Sequence, residues 1–302
     1  MTPAVGLVVA AHGRHVLIQI PDGRRLIAHP RGKRGEAVVG DQVSWLASGD
    51  EAVVEAVLPR RNLLFRQDAW RTKSFAANLD AVLVLVAADP PFSERMVARA
   101  LIAAHSAGVP AWVALNKADL PLQAGRAKLA PLAAAEVEVV ELSLRDAQAA
   151  AELLKPRLQG RTTLVMGPSG AGKSTLVNLL CPQADAEVGE ISRALQSGRH
   201  TTTTTRWYAL GPNPGDGALI DSPGFQEFGL HHVAATDLVR HMPDVQAQVS
   251  GCRFYNCTHR QEPGCSVRAA VDAGRLATTR WRQYVEMLDE LEAARSGRPG
   301  SQ

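Results

Sequence analysis

The amino-acid sequence predicts an α/β protein in which a parallel-sheet core lies between a small N-terminal β-barrel and a mostly helical C-terminal segment. Three observations lead to this fold class. Short alternating apolar stretches fill roughly the first 70 residues, apolar strands alternate with amphipathic helices from Leu79 to Leu180, and cysteines cluster after residue 250. Alternation of strand and helix is typical of a parallel sheet covered by helices on both faces.

The N-terminal stretch has the period-two pattern of short β-strands. We predict strands at Val5–Val9, Val16–Ile20 and Ala37–Val39, with turns such as Pro21–Arg24 between them. Short strands at this spacing favour a small barrel, and the five-stranded OB-fold is the natural candidate. Residues 1–70 are therefore assigned to an OB-like domain.

A phosphate-binding loop is predicted where Thr162–Met166, an apolar strand, meets a helix that begins near Ser174. The pattern Gly-x-x-x-x-Gly-Lys-Ser lets backbone N–H groups wrap a phosphate, while Lys173 bridges the β- and γ-phosphates and Ser174 coordinates Mg²⁺. A glycine-rich turn without a ligand is the alternative, and the strand and helix on either side argue against it. The expected phosphate-binding residues are Gly167, Pro168, Ser169, Gly170, Ala171, Gly172, Lys173, Ser174 and Thr175.

A guanine-binding motif follows the apolar strand Ala111–Leu115. The motif consists of Asn116, Lys117, Ala118 and Asp119. An aspartate can accept hydrogen bonds from N1–H and the 2-amino group of guanine, whereas adenine offers neither donor there. The stem of the lysine covers the base plane, and the asparagine ties this loop to the phosphate loop. We expect a further base contact from Ser143.

The order of these two motifs is unusual, because the guanine motif precedes the phosphate loop by about fifty residues. In an ordinary GTPase the phosphate loop comes first. The sequence therefore predicts a circularly permuted P-loop GTPase domain, which we assign to residues 71–230. Chain termini of compact domains often lie close together, so such a permutation preserves the fold.

Two switch segments follow the phosphate loop. A threonine among Thr201, Thr202 and Thr203 is expected to close over Mg²⁺ and the γ-phosphate, although the sequence does not single out which one. The next apolar strand ends in a D-x-x-G motif, in which Asp221 holds Mg²⁺ through water and the Gly224 N–H senses the γ-phosphate. Hydrolysis then releases both segments.

The glutamine that orients the attacking water in Ras-like enzymes is missing from this chain. Phe225 directly follows Gly224, and Gln226 comes one residue too late. We therefore expect slow hydrolysis by the isolated protein. His200 is our candidate for positioning the water; the alternative is a solvent-exposed loop histidine.

A zinc site is predicted from three cysteines and one histidine at compact spacing: Cys252, Cys257, His259 and Cys265. Four soft ligands complete a tetrahedral site, which makes the zinc structural rather than catalytic. A disulfide or free thiols are the alternatives, and a reducing compartment disfavours the disulfide. Residues 231–302 are assigned to this zinc-binding domain, which ends in an amphipathic helix over Thr278–Ala294.

The charge distribution favours an RNA partner. The net charge of the 302 residues is only +3. Residues 1–75, however, contain 11 basic and 7 acidic side chains. The basic residues of the barrel include Arg14, Arg24, Arg25, Arg31, Lys33 and Arg34. OB-folds and zinc knuckles both recur in nucleic-acid binding. With no apolar run long enough to span a membrane, we expect a soluble cytoplasmic monomer.

Together these motifs resemble the bacterial ribosome small-subunit-dependent GTPase A family. The resemblance rests on Asn116–Asp119 before Gly167–Ser174, on Gly198–Thr203, on Asp221–Gly224, and on Cys252–His259 with Glu262–Cys265. It covers almost the whole chain, and the family likewise lacks the glutamine. The resemblance implies a GTPase that acts late in 30S subunit assembly. Such an enzyme binds near the decoding region of 16S rRNA, is stimulated by the subunit and leaves after hydrolysis, and its ligands are GTP or GDP, Mg²⁺ and one structural Zn²⁺.

Three other functions remain open from the residues alone. One is a regulatory GTPase acting on the large subunit or a tRNA. Another is an ATP-dependent kinase or transport ATPase, against which the guanine motif argues. The last is an RNA-binding protein that holds nucleotide without hydrolysing it.

Overall fold

The computed structural model describes residues 4–12, 15–31, 37–49, 51–68, 72–182, 184, 205–223 and 229–296. The switch residues His200, Thr201, Thr202, Thr203 and Gly224 therefore lie outside the described residues.

The N-terminal strands form the predicted five-stranded OB-like barrel. Strand β1 pairs with both β2 and β4, which closes the sheet in the order β1-β2-β3-β5-β4. Strands β3 and β5 run parallel, and the other pairs are antiparallel. Apolar side chains such as Val8, Ile18 and Val43 fill the interior. The strands are β1 (Ala4–His12), β2 (His15–Gln19), β3 (Arg25–Pro30), β4 (Gln42–Ser48) and β5 (Glu51–Val57).

The strand predicted at Ala37–Val39 is wrong. Val38 and Val39 are buried, but the chain turns at Gly40 instead of extending. The fully buried Asp41 accepts a hydrogen bond from the Val38 N–H at 2.8 Å and pairs with Arg60. Two adjacent valines indicate burial, and here a turn buries them without a sheet partner.

A two-stranded hairpin links the barrel to the core. It consists of β6 (Leu63–Gln67) and β7 (Thr72–Ala77). Leu64 and Phe75 pack into the main apolar cluster beside residues of the central sheet. The hairpin thus lies on one face of that sheet rather than in the barrel.

The central sheet has the order β10-β9-β8-β11-β13-β12, and only β12 is antiparallel to its neighbour. All seven residues of β8 are buried, as expected for a strand covered on both faces. Strand β12, at the edge of the central sheet, also pairs with β1 of the barrel at Ala10↔Arg206, so the barrel strands extend that sheet. The strands are β8 (Ala81–Ala87), β9 (Ala111–Asn116), β10 (Val139–Glu141), β11 (Thr162–Met166), β12 (Arg206–Ala209) and β13 (Ala218–Asp221).

Four helices cover the two faces of this sheet. Met96 and Val97 of the first helix join the apolar cluster that contains the hairpin, whereas Leu154 and Leu176 of the third and fourth helices join a separate cluster. The two clusters are the two sides of a three-layer α/β core. The helices are α1 (Glu94–Ser106), α2 (Gln123–Ala133), α3 (Ala147–Leu158) and α4 (Lys173–Leu180).

The C-terminal part is mostly helical, as predicted. Its last helix contacts α1, where Glu290 accepts hydrogen bonds from Arg95 at 2.8 Å and from Arg99 at 3.0 Å. Within the described ranges, no helix is both long and apolar enough to cross a bilayer. The helical elements are the 3-10 turns Ala235–His241 and Val249–Gly251, α5 (Pro243–Gln246), α6 (Ser266–Asp272) and α7 (Thr278–Ser296).

Candidate nucleotide and metal sites

The carboxyl ends of β9, β11 and β13 meet at one edge of the sheet, and a cavity of about 1300 Å³ opens there. Parallel α/β sheets bind ligands at this edge. The cavity is lined by Asp221 and by most residues of the guanine motif and the phosphate loop, which are far apart in sequence. Four of the predicted nucleotide-binding residues are not in the lining: Ala118, Gly167, Pro168 and Ala171. The sequence predicted a nucleotide site from these motifs, and the fold brings their described residues together around one cavity.

The phosphate loop joins β11 to α4 and has the backbone shape that a bound phosphate needs. Gly172 has a φ of +105°, and a Cβ there would lie 2.4 Å from the Asn116 side-chain nitrogen, so only glycine fits. The side chains of Ser174 and Thr175 are exposed and line the cavity. The N-terminus of α4 points its free N–H groups at the same space, which favours an anion.

Lys173 is held by the loop itself. Its Nζ donates to the carbonyls of Gly167 and Pro168, each at 2.9 Å. Burial lowers the pKa of Lys173, while the nearby Asp221 carboxylate acts in the opposite direction. The amine is thus positioned within the cavity wall, and a phosphate oxygen can take the place of a loop carbonyl as its partner.

Asn116 ties the base-binding loop to the phosphate loop, as predicted. It is 3% exposed, and its Nδ2 donates to the Ala171 carbonyl at 2.9 Å. Its Oδ1 accepts the Leu144 N–H at 3.1 Å. One side chain therefore holds together three of the loops that form the cavity.

Asp119 lies at the base-binding end of the cavity. Its Oδ1 accepts a hydrogen bond from the Ser143 hydroxyl at 2.7 Å, and its Oδ2 pairs with Arg145 at 2.9 Å. The Ser143 hydrogen bond, reinforced by the positive charge of Arg145, holds the pKa of Asp119 below its usual range. The carboxylate is therefore ionised and can accept the two guanine N–H groups.

The two residues between Asn116 and Asp119 complete this loop. Lys117 adopts the left-handed backbone conformation with a φ of +63°, and its Nζ donates to the carbonyl of Asp89. The Ala118 N–H donates to the Leu142 carbonyl at 3.0 Å. Both contacts fix the loop against neighbouring strand ends.

Asp221 ends β13 with a buried carboxyl group. Burial raises the pKa of Asp221 to about 6, although the positive charges of Lys173 and Arg206 lower it. Among the described residues, none hydrogen-bonds its Oδ1. A buried carboxylate oxygen without a partner, beside the exposed hydroxyl of Ser174, is the oxygen donor set that Mg²⁺ prefers. These residues therefore fit a Mg²⁺ ion.

Sequence reasoning missed three charged residues that line the cavity: Lys73, Asp89 and Arg145. Arg145 comes two residues after the predicted Ser143, and its role depends on the turn between them. Lys73 comes from the β6–β7 hairpin, more than forty residues before the guanine motif. No local pattern marks either residue, because their proximity to the site arises from the tertiary fold.

The four predicted zinc ligands converge in the C-terminal part. The ligand atoms of Cys252, Cys257, His259 and Cys265 lie within 4.8 Å of one another. The Nδ1 of His259 is 3.5 Å from the Cys252 sulfur and 3.6 Å from the Cys265 sulfur. Tetrahedral zinc places a thiolate sulfur and an imidazole nitrogen about 3.6 Å apart. The cluster is therefore compatible with one zinc ion.

His259 is fixed by its surroundings in the orientation that a ligand needs. It is 2% exposed and has a φ of +61°, and its carbonyl accepts the Trp281 indole N–H at 2.8 Å. The Ser266 hydroxyl lies 3.1 Å from the Cys252 sulfur. Such outer contacts orient metal ligands, and here they connect the cluster to α6 and α7.

Comparison with known proteins identifies the family. The RsgA GTPase family model matches residues 57–231. The small ribosomal subunit biogenesis GTPase RsgA of Variovorax paradoxus is 55% identical over 298 residues, which cover 96% of this chain and 93% of that protein. The protein of the same name from Bordetella pertussis is 51% identical over 295 residues, which cover 97% of this chain and 98% of that protein.

Solved structures agree with the permuted architecture. The crystal structure of YjeQ from Thermotoga maritima has a TM-score of 0.73 at 27% identity, and the match covers 98% of this chain and 100% of that chain. YloQ, described as a circularly permuted GTPase, has a TM-score of 0.69 at 24% identity. The match covers 99% of this chain and 97% of that chain, and it supports the fold. A family model over more than half of the chain, with relatives this similar along nearly its full length, shows that the chain belongs to the RsgA GTPase family of GTP-hydrolysing enzymes.

Proposed function

We propose that this GTPase couples GTP hydrolysis to late maturation of the small ribosomal subunit, binding 16S rRNA and leaving after hydrolysis. The observation that carries the proposal is the hydrogen bond that joins the guanine motif to the phosphate loop through Asn116, in a family whose relatives are named for small-subunit biogenesis. The partner follows from those relatives, and the nucleotide follows from the chemistry of Asp119 and Lys173.

We assign the catalytic roles as follows. Lys173 neutralises charge on the β- and γ-phosphates, and Ser174 with Asp221 holds Mg²⁺, which when bound offsets charge on the same oxygens. One of Thr201, Thr202 and Thr203 closes over the γ-phosphate, and the Gly224 N–H reports its presence. His200 positions the attacking water, since Phe225 replaces the usual glutamine. Loss of the γ-phosphate releases both switches.

We assign residues 1–70 and 231–302 to contact with RNA. In the described part of the barrel, Arg24, Arg25 and Arg31 supply positive charge at or near the surface. Lys/Arg contacts to phosphates make binding sensitive to salt. We further propose that one structural zinc, held by Cys252, Cys257, His259 and Cys265, fixes the C-terminal domain, and that the protein acts as a cytoplasmic monomer.

The experiment that tests this function is GTP turnover by the purified protein alone, with purified 30S subunits and with 50S subunits. Strong stimulation by 30S alone supports the proposal. Stimulation by 50S only, or by neither subunit, removes it and leaves the GTP site standing. His200→Ala is expected to lose the 30S-stimulated rate while keeping GDP affinity, and an unchanged stimulated rate would exclude the water-positioning role.

The zinc assignment has its own measurement. Elemental analysis of the purified protein is expected to give one zinc per chain, and Cys257→Ser is expected to lose it. A zinc-free wild-type protein with an intact fold would contradict the assignment.

A further inference from the structure

Lys73 places a positive charge in the nucleotide cavity from an element outside the known GTPase motifs. It lies on β7 of the hairpin, and it lines the same cavity as Lys173, Ser174 and Asp221. The side chain is exposed, and its Nζ lies 6.0 Å from the centroid of the Phe75 ring. Among the described residues, no carboxylate forms an ion pair with it. The amine is therefore available to an anion that enters the cavity.

The hairpin is fixed on the sheet rather than free in solvent. Leu64 and Phe75 are buried in the main apolar cluster together with Met166 of β11 and Ile220 of β13. Met166 directly precedes the phosphate loop, and Ile220 directly precedes Asp221. The hairpin thus belongs to the same buried cluster as β11 and β13, and its strand β6 contacts α1.

The end of the hairpin is also bonded to the segment that follows the D-x-x-G motif. The Gln67 N–H donates to the Gly229 carbonyl at 3.2 Å, and the His231 N–H donates to the Gln67 carbonyl at 3.0 Å. A Cβ at Gly229 would lie 2.0 Å from Asp68 Oδ1. The two backbones are therefore in direct contact. Gln67 pairs with Thr72 in the hairpin, and Lys73 lies in the adjacent residue pair, opposite Arg66.

These backbone contacts join the hairpin to the chain segment that follows Asp221. The segment from Asp221 to Gly229 is the one that senses the γ-phosphate, and the hairpin end is bonded to its far boundary. The base-binding residues Asn116 and Asp119 lie at and just after the end of β9, and two strands, β8 and β11, separate β9 from β13 in the sheet. A long lysine that lines the cavity from this hairpin, and that forms no ion pair within the described ranges, is suited to the γ-phosphate rather than to the base.

We propose that Lys73 contacts the γ-phosphate of bound GTP and stabilises the charge that develops there during hydrolysis. In phosphoryl transfer, charge spreads over the equatorial oxygens of the γ-phosphoryl group, and an additional cation supplied in cis or in trans accelerates the reaction. Lys173 supplies one cation from the phosphate loop, and Lys73 supplies a second from the hairpin. This second cation offsets part of the loss in hydrolysis rate that comes from having Phe225 in place of the water-orienting glutamine.

The proposal rests on the GTPase activity of the family and not on the identity of the ribosomal partner. The test compares Lys73→Ala, Lys73→Gln and Lys73→Arg with Lys155→Ala, which removes an exposed lysine on α3 far from the cavity lining. Each variant is checked for its melting temperature. The measurements are the affinities for GDP and for a non-hydrolysable GTP analogue, and the single-turnover rate at saturating GTP with and without 30S subunits.

Lys73→Ala and Lys73→Gln are expected to lower the single-turnover rate by about tenfold or more. They should also lower the affinity for the GTP analogue and leave the affinity for GDP unchanged, because a cation that contacts the γ-phosphate acts only when that group is present. Lys73→Arg is expected to retain most of the rate, since the charge is kept. Rates within twofold of the Lys155→Ala control, or an equal loss of GDP and analogue affinity, would overturn the proposal. If 30S subunits fail to stimulate the wild-type protein while Lys73→Ala still slows its intrinsic rate, the ribosomal function fails and the role of Lys73 stands.

Discussion

The Asn116 Nδ2 donates to the Ala171 carbonyl at 2.9 Å, although 55 residues separate the two in the chain. The bond connects the predicted guanine-binding motif to the predicted phosphate loop. Permutation reverses the order of these two elements in sequence, and the contact joins them directly whatever the length of chain between them.

Removing this contact is expected to weaken nucleotide binding as a whole. Asn116→Ala leaves the Ala171 carbonyl and the Leu144 N–H without a partner at a buried position, at a cost of about 1–3 kcal/mol for each group. We expect GDP and GTP affinity to fall together by tenfold or more, as measured by titration with a fluorescent guanine nucleotide. Gln148→Ala, at an exposed position on α3, is the control. Affinity equal to that control would show that the loops hold their positions without Asn116.

The preference for guanine over other bases should depend on the carboxylate of Asp119. Asp119→Asn replaces one acceptor oxygen with an N–H donor, which faces the 2-amino group of guanine unfavourably and suits the 2-oxo group of xanthine. Leaving buried polar groups unpaired is a strong source of discrimination. We expect GTP affinity to fall by about a hundredfold and xanthosine triphosphate to become the better ligand, measured in a direct competition assay. Retained GTP preference would place guanine recognition elsewhere.

The parts of the site that the sequence predicted are those in which chemistry fixes a local spacing. A loop that wraps phosphate needs Gly172 and Lys173 at set positions, so the pattern alone locates it. The zinc ligands follow the same logic, because four donors must reach one ion from short loops. Arg145 and Lys73 carry no such spacing. They reach the cavity through a turn and a hairpin, and a sequence pattern does not specify where those elements pack.

The elements of the fold likewise divide into those that a local pattern predicts and those that depend on tertiary packing. The buried strand β8 was predictable because it is an unbroken apolar run of seven residues, and the helix α1 because its apolar residues recur at helical spacing. The hairpin β6–β7 was not, since its two short strands alternate only weakly and one contains a β-bulge. The valines at Val38 and Val39 have the composition of a strand, yet the turn at Gly40 and Asp41 overrides it.

A buried ion pair is expected to anchor the last helix. Arg280 of α7 donates from Nε to Asp244 at 2.7 Å, and the two side chains are 6% and 8% exposed. Removing one partner leaves an uncompensated buried charge, which costs about 3–5 kcal/mol. Arg280→Ala should therefore lower the melting temperature of the protein markedly, measured by calorimetry. Arg282→Ala, an exposed neighbour on the same helix, is the control, and an equal effect of the two would contradict the anchoring role.

The stability of the protein should also depend on His232, which contacts the hairpin and the end of α1. Its ring lies 4.5 Å from that of Phe65, and its Nε2 is 3.4 Å from the Ser106 hydroxyl. Burial, with further contributions from the nearby His241 and His231, lowers the pKa of His232 to about 4. The unfolded chain, with an ordinary histidine pKa near 6.5, binds a proton that the folded chain rejects between about pH 6.5 and 4. Protonation therefore favours unfolding across this window.

We expect His232→Phe, which keeps an aromatic ring beside Phe65 but cannot titrate, to make the fall in melting temperature from pH 6.5 to 4 shallower than in the wild-type protein. Ser106→Ala is the matched control, because it removes a neighbour of the ring and leaves the titrating group in place, so its pH slope should stay that of the wild type. Above about pH 7 both states hold the ring neutral, and the difference between His232→Phe and wild type should become constant there. Parallel curves for all three proteins between pH 6.5 and 4 would mean that His232 is protonated as readily in the folded chain as in the unfolded one, and that its burial between Phe65 and Ser106 does not oppose the charge.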